Sequence, residues 1–332
     1  MRRVLVTGAT GGFGIALVQA LLAHAYLVRA TGRRLNLGAR LRAAGAEFIA
    51  AELTEQTCLP ALVAGTDLVV HAAALSSPWG RREDFQRINV TVTRDLLAAA
   101  QIAGGNQFVF ISTPSIYSEP RDRLGLTEAS PVAKRFANDY AASKYAAEQL
   151  VLAANKPGFS TAVLRPRALV GPDDTVLLPR LLRVARRGIF PLLRQGRALI
   201  ELTDVRDAAD AVLAIAARPL PTAGRSFNIS GGAPMTVAAA LSRVFADFDL
   251  RPRLLALPYA PIARLLRLAE IIYARLPGQP EPPATVYTLS TLAFSQTFDL
   301  RAARNELSWQ PRFTPAEAIA RTAATWRHHA PL

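Results

Sequence analysis

Thr7-Gly8-Ala9-Thr10-Gly11-Gly12-Phe13-Gly14 decides how the rest of the chain is read. Before it runs Arg2-Arg3-Val4-Leu5-Val6, which reads as a first strand, and after it Ile15 to Leu22, which reads as a helix. Strand, glycine turn and helix in that order are the context of a dinucleotide site. Gly8, Gly11 and Gly14 let the backbone turn tightly and approach a pyrophosphate, while the free N–H groups and positive dipole end of the helix face the anion. Thr10, Gly12 and Phe13 complete the predicted cradle. The glycine spacing is three and three, where the commoner fingerprint has two and three.

The second strand, Tyr26 to Thr31, closes on Gly32-Arg33-Arg34. An acid at that position would hold the adenosine ribose of NAD. Here the first acidic residue is Glu47, and two arginines occupy the place. A guanidinium fork matches a 2′-phosphate, so NADP(H) is expected over NAD(H), on Arg33 first and Arg34 second. Glu47–Ala50 and Asp67–His71 read as the third and fourth strands, and the small Ala72-Ala73-Ala74 would let the backbone lie against the cofactor. His71 is expected to pack at its strand end and not to act as a base. Within the helical pattern from Arg82 to Ala103, Asn89 is either a pin for nearby backbone or a surface or capping residue. Gln107–Ser112 is a buried fifth strand and Thr161–Pro166 a further one.

This rhythm predicts an α/β fold, a doubly wound parallel sheet with ligands at the carboxyl ends of the strands. A nucleotide-binding domain is expected over residues 1–170, with sheet elements returning near 198–230. A smaller, mixed α/β substrate-binding portion is expected over 171–332, where proline and glycine thicken from Gly171-Pro172 onward.

Tyr140-Ala141-Ala142-Ser143-Lys144 carries the expected chemistry. It opens a helical stretch running to Ala154, so the four-residue spacing puts phenol and ammonium on one helix face. The lysine cation, with the charge of an oxidised nicotinamide, is expected to lower the phenol's pKa and let Tyr140 exchange a proton with a substrate oxygen. Lys144 would also hold the nicotinamide ribose.

With these residues in view, the sequence resembles the extended short-chain dehydrogenase/reductases of the Rossmann type. Within them it is similar to the 3β-hydroxysteroid dehydrogenase-like branch, which includes sterol-4-carboxylate 3-dehydrogenases and the β-keto acid reductases of olefin biosynthesis. Carrying the resemblance are Thr7–Gly14, Ile111-Ser112-Thr113-Pro114-Ser115, Tyr140–Lys144 with Ala147-Glu148, Leu164-Arg165-Pro166 before Gly171-Pro172, and Leu202-Thr203-Asp204-Val205. Glu281-Pro282-Pro283 and Ser295–Asp299 extend it towards the end of the chain. The resemblance implies Thr113 as the hydroxyl that shares the substrate's developing charge, with Ser112 and Ser115 as competitors. It also implies Glu52 and Leu53 near the adenine, Pro166 beside the cofactor, and a homodimer built on two helices. Thr91-Val92-Thr93 and Arg167 depart from the family pattern; Arg167 is either a reach towards a substrate carboxylate or phosphate, or half of a salt bridge.

Composition bounds the rest. A single cysteine, Cys58, and four histidines without ligand spacing leave no basis for a disulfide framework or a metal site. That cysteine usage and the short apolar run after Met1 point to a cytoplasmic protein. The net charge of +14 comes mostly from scattered arginines and lacks a nucleic-acid motif, so no nucleic acid is expected, though the excess would attract acidic or carrier-linked ligands. Leu254 to Leu276 is apolar around most of a helix, open to three readings: core or dimer packing, a lid over an apolar substrate, or a helix lying on a membrane surface. The expected activity is ketone–alcohol interconversion on a sterol, acyl, polyketide or β-keto acid-like substrate. Nucleotide-sugar epimerase or dehydratase is the alternative enzyme, and a non-catalytic NADP-binding redox sensor the alternative class.

Overall fold

The computed structural model describes residues 1–328; His329 and the three residues after it lie outside that description. Seven parallel strands make the central sheet: β1 (Arg3–Thr7), β2 (Leu27–Gly32), β3 (Glu47–Ala50), β4 (Leu68–His71), β5 (Gln107–Ile111), β6 (Ser160–Pro166) and β7 (Arg225–Ile229). Their order is β7-β6-β5-β4-β1-β2-β3. The strand order reverses between β1 and β4, and the glycine turn after β1 opens at that crevice, where ligands of such sheets bind.

The strands read as unbroken apolar runs because both faces of the sheet are covered. Val4, Val6, Leu68, Val70, Val109 and Leu164 point to the layer formed by the helices Gly12–Ala23 and Val205–Ala217. Leu5, Val69, Phe108, Phe110 and Val163 point to the opposite layer, formed by Leu59–Val63, Val92–Ile102 and Asp139–Ala153. Alternation within single strands thus divides two cores, and moving a strand by one residue would exchange them.

The helical pattern around Asn89 is not one uniform helix. A short helix, Arg82–Phe85, passes through a π-type turn, Gln86–Thr91, before the helix Val92–Ile102. Such turns re-aim side chains at functional sites, and here the turn carries Asn89 inward.

The C-terminal portion has its own core, with Leu178, Leu182, Phe190, Leu241, Phe245 and Ile319 buried together, and short strand pairs at its margin. Residues 254–276 resolve into the strand Arg253–Leu257, paired with Ile189–Leu193, and the helix Tyr259–Tyr273. Only Ala263 of that helix is buried. Its inner side meets the helix Val286–Ala293, and packing within the chain accounts for that side alone. Leu265, Leu268 and Ile272, spaced three and four apart, are each more than half exposed. No described helix is long and apolar enough to cross a membrane.

Candidate active site

The glycine turn is built by close approach. Gly8 has φ +66°, and a Cβ there would sit 2.7 Å from the backbone nitrogen of Ala73. A Cβ on Gly14 would collide with the carbonyl oxygen of Gly8. Gly11 caps the helix Gly12–Ala23 without any side chain bonded to its first N–H groups, and no acid stands in the first turn. These features fit a dinucleotide pyrophosphate at the helix start. The backbone of Asp173 comes over Gly12, whose added Cβ would lie 2.5 Å from the Asp173 carbonyl oxygen, and Arg40 holds Asp173 by an ion pair of 2.9 Å.

Arg33 and Arg34 take different places. The Arg34 guanidinium donates to the Thr10 carbonyl, tying β2 to the glycine turn. The Arg33 side chain is three-quarters exposed and lies 3.4 Å from Glu52, so an arginine and an acid flank the same end of the sheet. Glu52 and Leu53 follow β3 directly, Ala72 to Ala74 follow β4, and Pro166 ends β6.

His71 is fully buried, as its expected packing role requires. Its Nδ1 lies 2.7 Å from Thr7 Oγ1 and its Nε2 3.0 Å from Thr93 Oγ1. Thr93 spends its proton on the Asn89 carbonyl at 2.6 Å, so it accepts from His71 Nε2–H, and Nδ1 accepts from Thr7. Thr7 in turn accepts from the Ala73 amide at 3.2 Å. The imidazole is therefore neutral and holds one tautomer, consistent with burial and Lys144 pulling its pKa down to about 3. Asn89 continues the connection: its amide brackets Leu75 through both N–H and carbonyl, and it donates to Ser143 Oγ at 2.9 Å. Thr93, read as a departure from the family, is thus a structural link between the glycine turn and the helix Asp139–Ala153.

That helix is capped by Asn138, which accepts from the Ala141 amide, placing Tyr140 in the first turn. The Thr113 and Ser76 hydroxyls face the phenol closely enough to favour its anion. Thr113 also donates to Ser115 Oγ at 2.9 Å, and Ser115 Oγ lies 2.6 Å from the Tyr287 hydroxyl. Among the three candidate hydroxyls, Thr113 is the one whose field reaches the Tyr140 phenol, whereas Ser112 Oγ is buried without a partner. The structure adds Ser76 and Tyr287 to the cluster. Tyr287 arrives from the helix Val286–Ala293, 147 residues after Tyr140, and no local spacing in the sequence announces it.

The electrostatics correct one expectation. Lys144 does stand one turn from Tyr140, but its Nζ donates to the Ile111 carbonyl at 2.6 Å and lies 3.9 Å from the centre of the Phe110 ring. Burial pulls Lys144 down to about 7. Burial, with the nearby Tyr287, pushes the Tyr140 hydroxyl above its ordinary value, and the neighbouring Ser76 and Thr113 hydroxyls only partly oppose this. Tyr140 is half-buried as a residue while its hydroxyl end is enclosed by these neighbours. Desolvation therefore outweighs the ammonium in the protein's own field, and the phenol holds its proton at neutral pH.

A stability consequence follows for Lys144. Below pH 7 the lysine is charged in both folded and unfolded chains, and the full penalty of burying it is present. Between about 7 and its ordinary value of 10.5 the folded chain has lost that proton and the unfolded chain has not, so the penalty fades as pH rises. Lys144→Met should raise the melting temperature at pH 6, with a gain that shrinks steadily towards pH 10. A gain equal at both pH values would rule out a buried, easily discharged lysine.

With the geometry established, the comparisons agree with it. Residues 4–230 match the family model described as NAD dependent epimerase/dehydratase family. The chain belongs to this family, as an extended short-chain dehydrogenase/reductase of the 3β-hydroxysteroid dehydrogenase-like branch, and is an NAD(P)-dependent dehydrogenase/reductase acting on CH–OH groups. It is 32% identical to a 4-hydroxy-2-methyl-3-oxo-4-farnesyl-3,4-dihydroquinoline-1-oxide ketoreductase of Stigmatella aurantiaca, over 96% of this chain and 94% of the relative. It is 30% identical to the 2-alkyl-3-oxoalkanoate reductase of Stenotrophomonas maltophilia, over 97% of this chain and 99% of the relative. Its fold is shared with the UDP-glucuronic acid 4-epimerase of Bacillus cereus, solved with UDP-glucuronic acid and NAD: TM-score 0.77, 19% identity, 99% of this chain and all of that one.

Proposed function

We propose that the protein is an NADPH-dependent ketoreductase that reduces the 3-oxo group of an apolar, acyl-like substrate to a secondary alcohol. The observation that carries this reading is the hydroxyl cluster at the carboxyl end of the sheet, where Thr113, bonded to Ser115 and through it to Tyr287, faces the Tyr140 phenol. A ketone oxygen entering there meets the Tyr140 O–H, with the Thr113 hydroxyl becoming a second donor once it turns from Ser115 Oγ, and a phenol held in its protonated form is suited to giving a proton to an oxygen that gains charge. The nicotinamide nucleotide, when bound, supplies the hydride to the carbonyl carbon. Tyr140 delivers the proton to the oxygen, Thr113 shares its negative charge, and Ser115 with Tyr287 fixes Thr113 in place. Lys144, with its donors turned to the end of β5, would hold the nicotinamide ribose.

The names of the two sequence relatives support the substrate class, since one names a 3-oxo group on a farnesyl-bearing dihydroquinoline and the other a 2-alkyl-3-oxoalkanoate. The exposed aliphatic stripe of the helix Tyr259–Tyr273 supports it as well. In this proposal the helix is the outer wall of the substrate cleft: its Tyr259 hydroxyl lies 2.9 Å from Ser290 Oγ and its Glu270 accepts from the Val286 amide, so it seats the segment that carries Tyr287. Its outer stripe, flanked by Arg264, Arg267 and Arg275, is a surface for transient contact with a membrane holding such substrates. A homodimer in the cytoplasm completes the proposal. The test follows NADPH absorbance with 3-oxoacids, 3-oxosterols and nucleotide sugars. Consumption with 3-oxoacids or sterols supports the reading, and turnover of nucleotide sugars with no net NADPH loss rejects it.

The cofactor preference has its own test. Arg33 stands at the end of β2 with its guanidinium largely in solvent, where a 2′-phosphate would replace or join Glu52 as its partner. A charge-assisted contact of this kind contributes about 1.5–3 kcal/mol, so Arg33→Ser should weaken NADPH binding about 10- to 100-fold by fluorescence titration while NADH binding stays within about twofold. Equal losses for both nucleotides would assign Arg33 to the fold instead.

A further inference from the structure

Three arginines are buried among the described residues, and they differ in what surrounds their charge. Arg29 lies 3.0 Å from Glu47 and donates to the carbonyls of Leu62 and Ala64. Arg165 is held by both oxygens of Glu148. Arg167 is 8% exposed, its Nε has no hydrogen-bond partner, and among the described residues no carboxylate stands within ion-pair distance of it. The salt bridge entertained from the sequence does not form. The acid whose field reaches it, Glu201, is already engaged: one oxygen accepts from the Phe298 amide at 3.0 Å and the other from the Ser230 hydroxyl.

A buried guanidinium without a counter-ion is costly, and folds keep such costs mainly at functional sites. The position of Arg167 is informative here. In the β5–β6 register Ile111 lies beside Leu164, and the Ser112 amide donates to the Leu164 carbonyl at 2.7 Å. Arg167, immediately past the end of β6, therefore leaves the same sheet edge as Thr113. Its side chain lines a small cavity with Tyr117, Ser290 and Gln296, whose Oε1 is likewise unpartnered; Glu119 lines the same cavity but is taken up by Arg121 and Arg123, which leaves Arg167 without a counter-ion. Ser290 and Thr291 fall one turn after Tyr287 on the same helix face, and Tyr287 bonds to Ser115 and thence to Thr113. One row of side chains thus joins the proton-donating hydroxyls to an unpaired planar cation.

We propose that Arg167 receives the carboxylate of a 3-oxoacid whose ketone oxygen rests between Tyr140 and Thr113, and so selects free acids over esters and neutral ketones. This deepens the ketoreductase reading and rests on it. In a 3-oxoacid one carbon separates the carboxyl group from the ketone carbon, so both ends of the polar head must be received at one sheet edge. The guanidinium fork matches the two carboxylate oxygens, and the apolar tail is left to the cleft wall.

The test compares 3-oxodecanoate with its methyl ester on wild type, Arg167→Met and Arg167→Lys, each saturated with NADPH. Thermal stabilisation of the same NADPH complexes by 3-hydroxydecanoate is measured alongside. Losing a buried charge pair is expected to lower kcat/KM for the acid at least ~30-fold in Arg167→Met, mainly through KM. The ester should change less than about threefold, and Arg167→Lys should recover part of the acid's rate. Stabilisation by the hydroxyacid should vanish in Arg167→Met, and that variant should melt no lower than wild type, since its uncompensated charge is gone. Equal losses for acid and ester would overturn the proposal and make Arg167 a packing residue whose donors bind water. If wild type turns over neither ketone, the ketoreductase reading falls, and the hydroxyacid arm still decides on Arg167: stabilisation abolished by Arg167→Met supports it, and none in wild type rejects it.

Discussion

Tyr140→Phe should lower the rate of ketone reduction about 10³-fold, because a positioned general acid contributes about 10² to 10⁴ in rate and the substitution removes only the hydroxyl. The ring stays, and with it the packing against Phe85, whose ring centre is 6.5 Å away. Thr113 stays seated by the Ser115 amide and can turn its hydroxyl from Ser115 Oγ to the substrate oxygen, so one donor survives and the residual rate should remain measurable. Single-turnover oxidation of NADPH reads the chemical step, and nucleotide fluorescence reads binding, which should stay within about twofold. A rate within tenfold of wild type would transfer the proton donor elsewhere in the cluster, to Tyr287 through Ser115. The double variant Tyr140→Phe/Tyr287→Phe then distinguishes a relay from a single donor: under the single-donor assignment Tyr287→Phe alone costs far less than Tyr140→Phe.

The residues of this chemistry were unequally legible. The glycine turn, the five N-terminal strands and the Tyr140–Lys144 pair can be read because each is a local pattern, and local spacing survives into the fold unchanged. His71 can be read as packed because it closes an apolar run, but the Thr7–His71–Thr93–Asn89 connection cannot, since it joins residues that only the parallel register brings side by side. Tyr287 and Ser76 reach the site from separate segments whose sequences carry no spacing rule. The charge relation between Lys144 and Tyr140 is not legible for a physical reason: helical spacing gives proximity, whereas the sign of the phenol's shift also depends on how much solvent is lost. The outer stripe of the helix Tyr259–Tyr273 shows the converse limit. Hydrophobicity was plain from the sequence, and which side of the helix faces the chain's own core was not.

The second large effect is expected in stability, at the back of the same helix. Glu148 follows Lys144 by four residues and Tyr140 by eight, so all three share a face, and Glu148 is fully buried where Arg165 of β6 meets it. The Arg165 guanidinium presents Nε to one carboxylate oxygen at 3.1 Å and Nη2 to the other, and its Nη1 reaches the Tyr117 hydroxyl. This pair is the bolt between the catalytic helix and the sheet. Glu148→Ala would leave the guanidinium buried beside Tyr117 with no carboxylate in contact and only the more distant field of Glu128, a change that costs about 3–5 kcal/mol when a buried pair is broken from one side. Urea unfolding should show that loss directly, and catalysis should fall with it as Tyr140 and Lys144 lose their seat. Replacing both partners, Glu148→Met with Arg165→Met, should restore most of the stability, because no charge is then stranded and the layer is filled by side chains of similar length. A Glu148→Ala variant within about 1 kcal/mol of wild type would mean that water enters to solvate Arg165, and the helix would then be held to β5 by the Lys144–Ile111 contact instead.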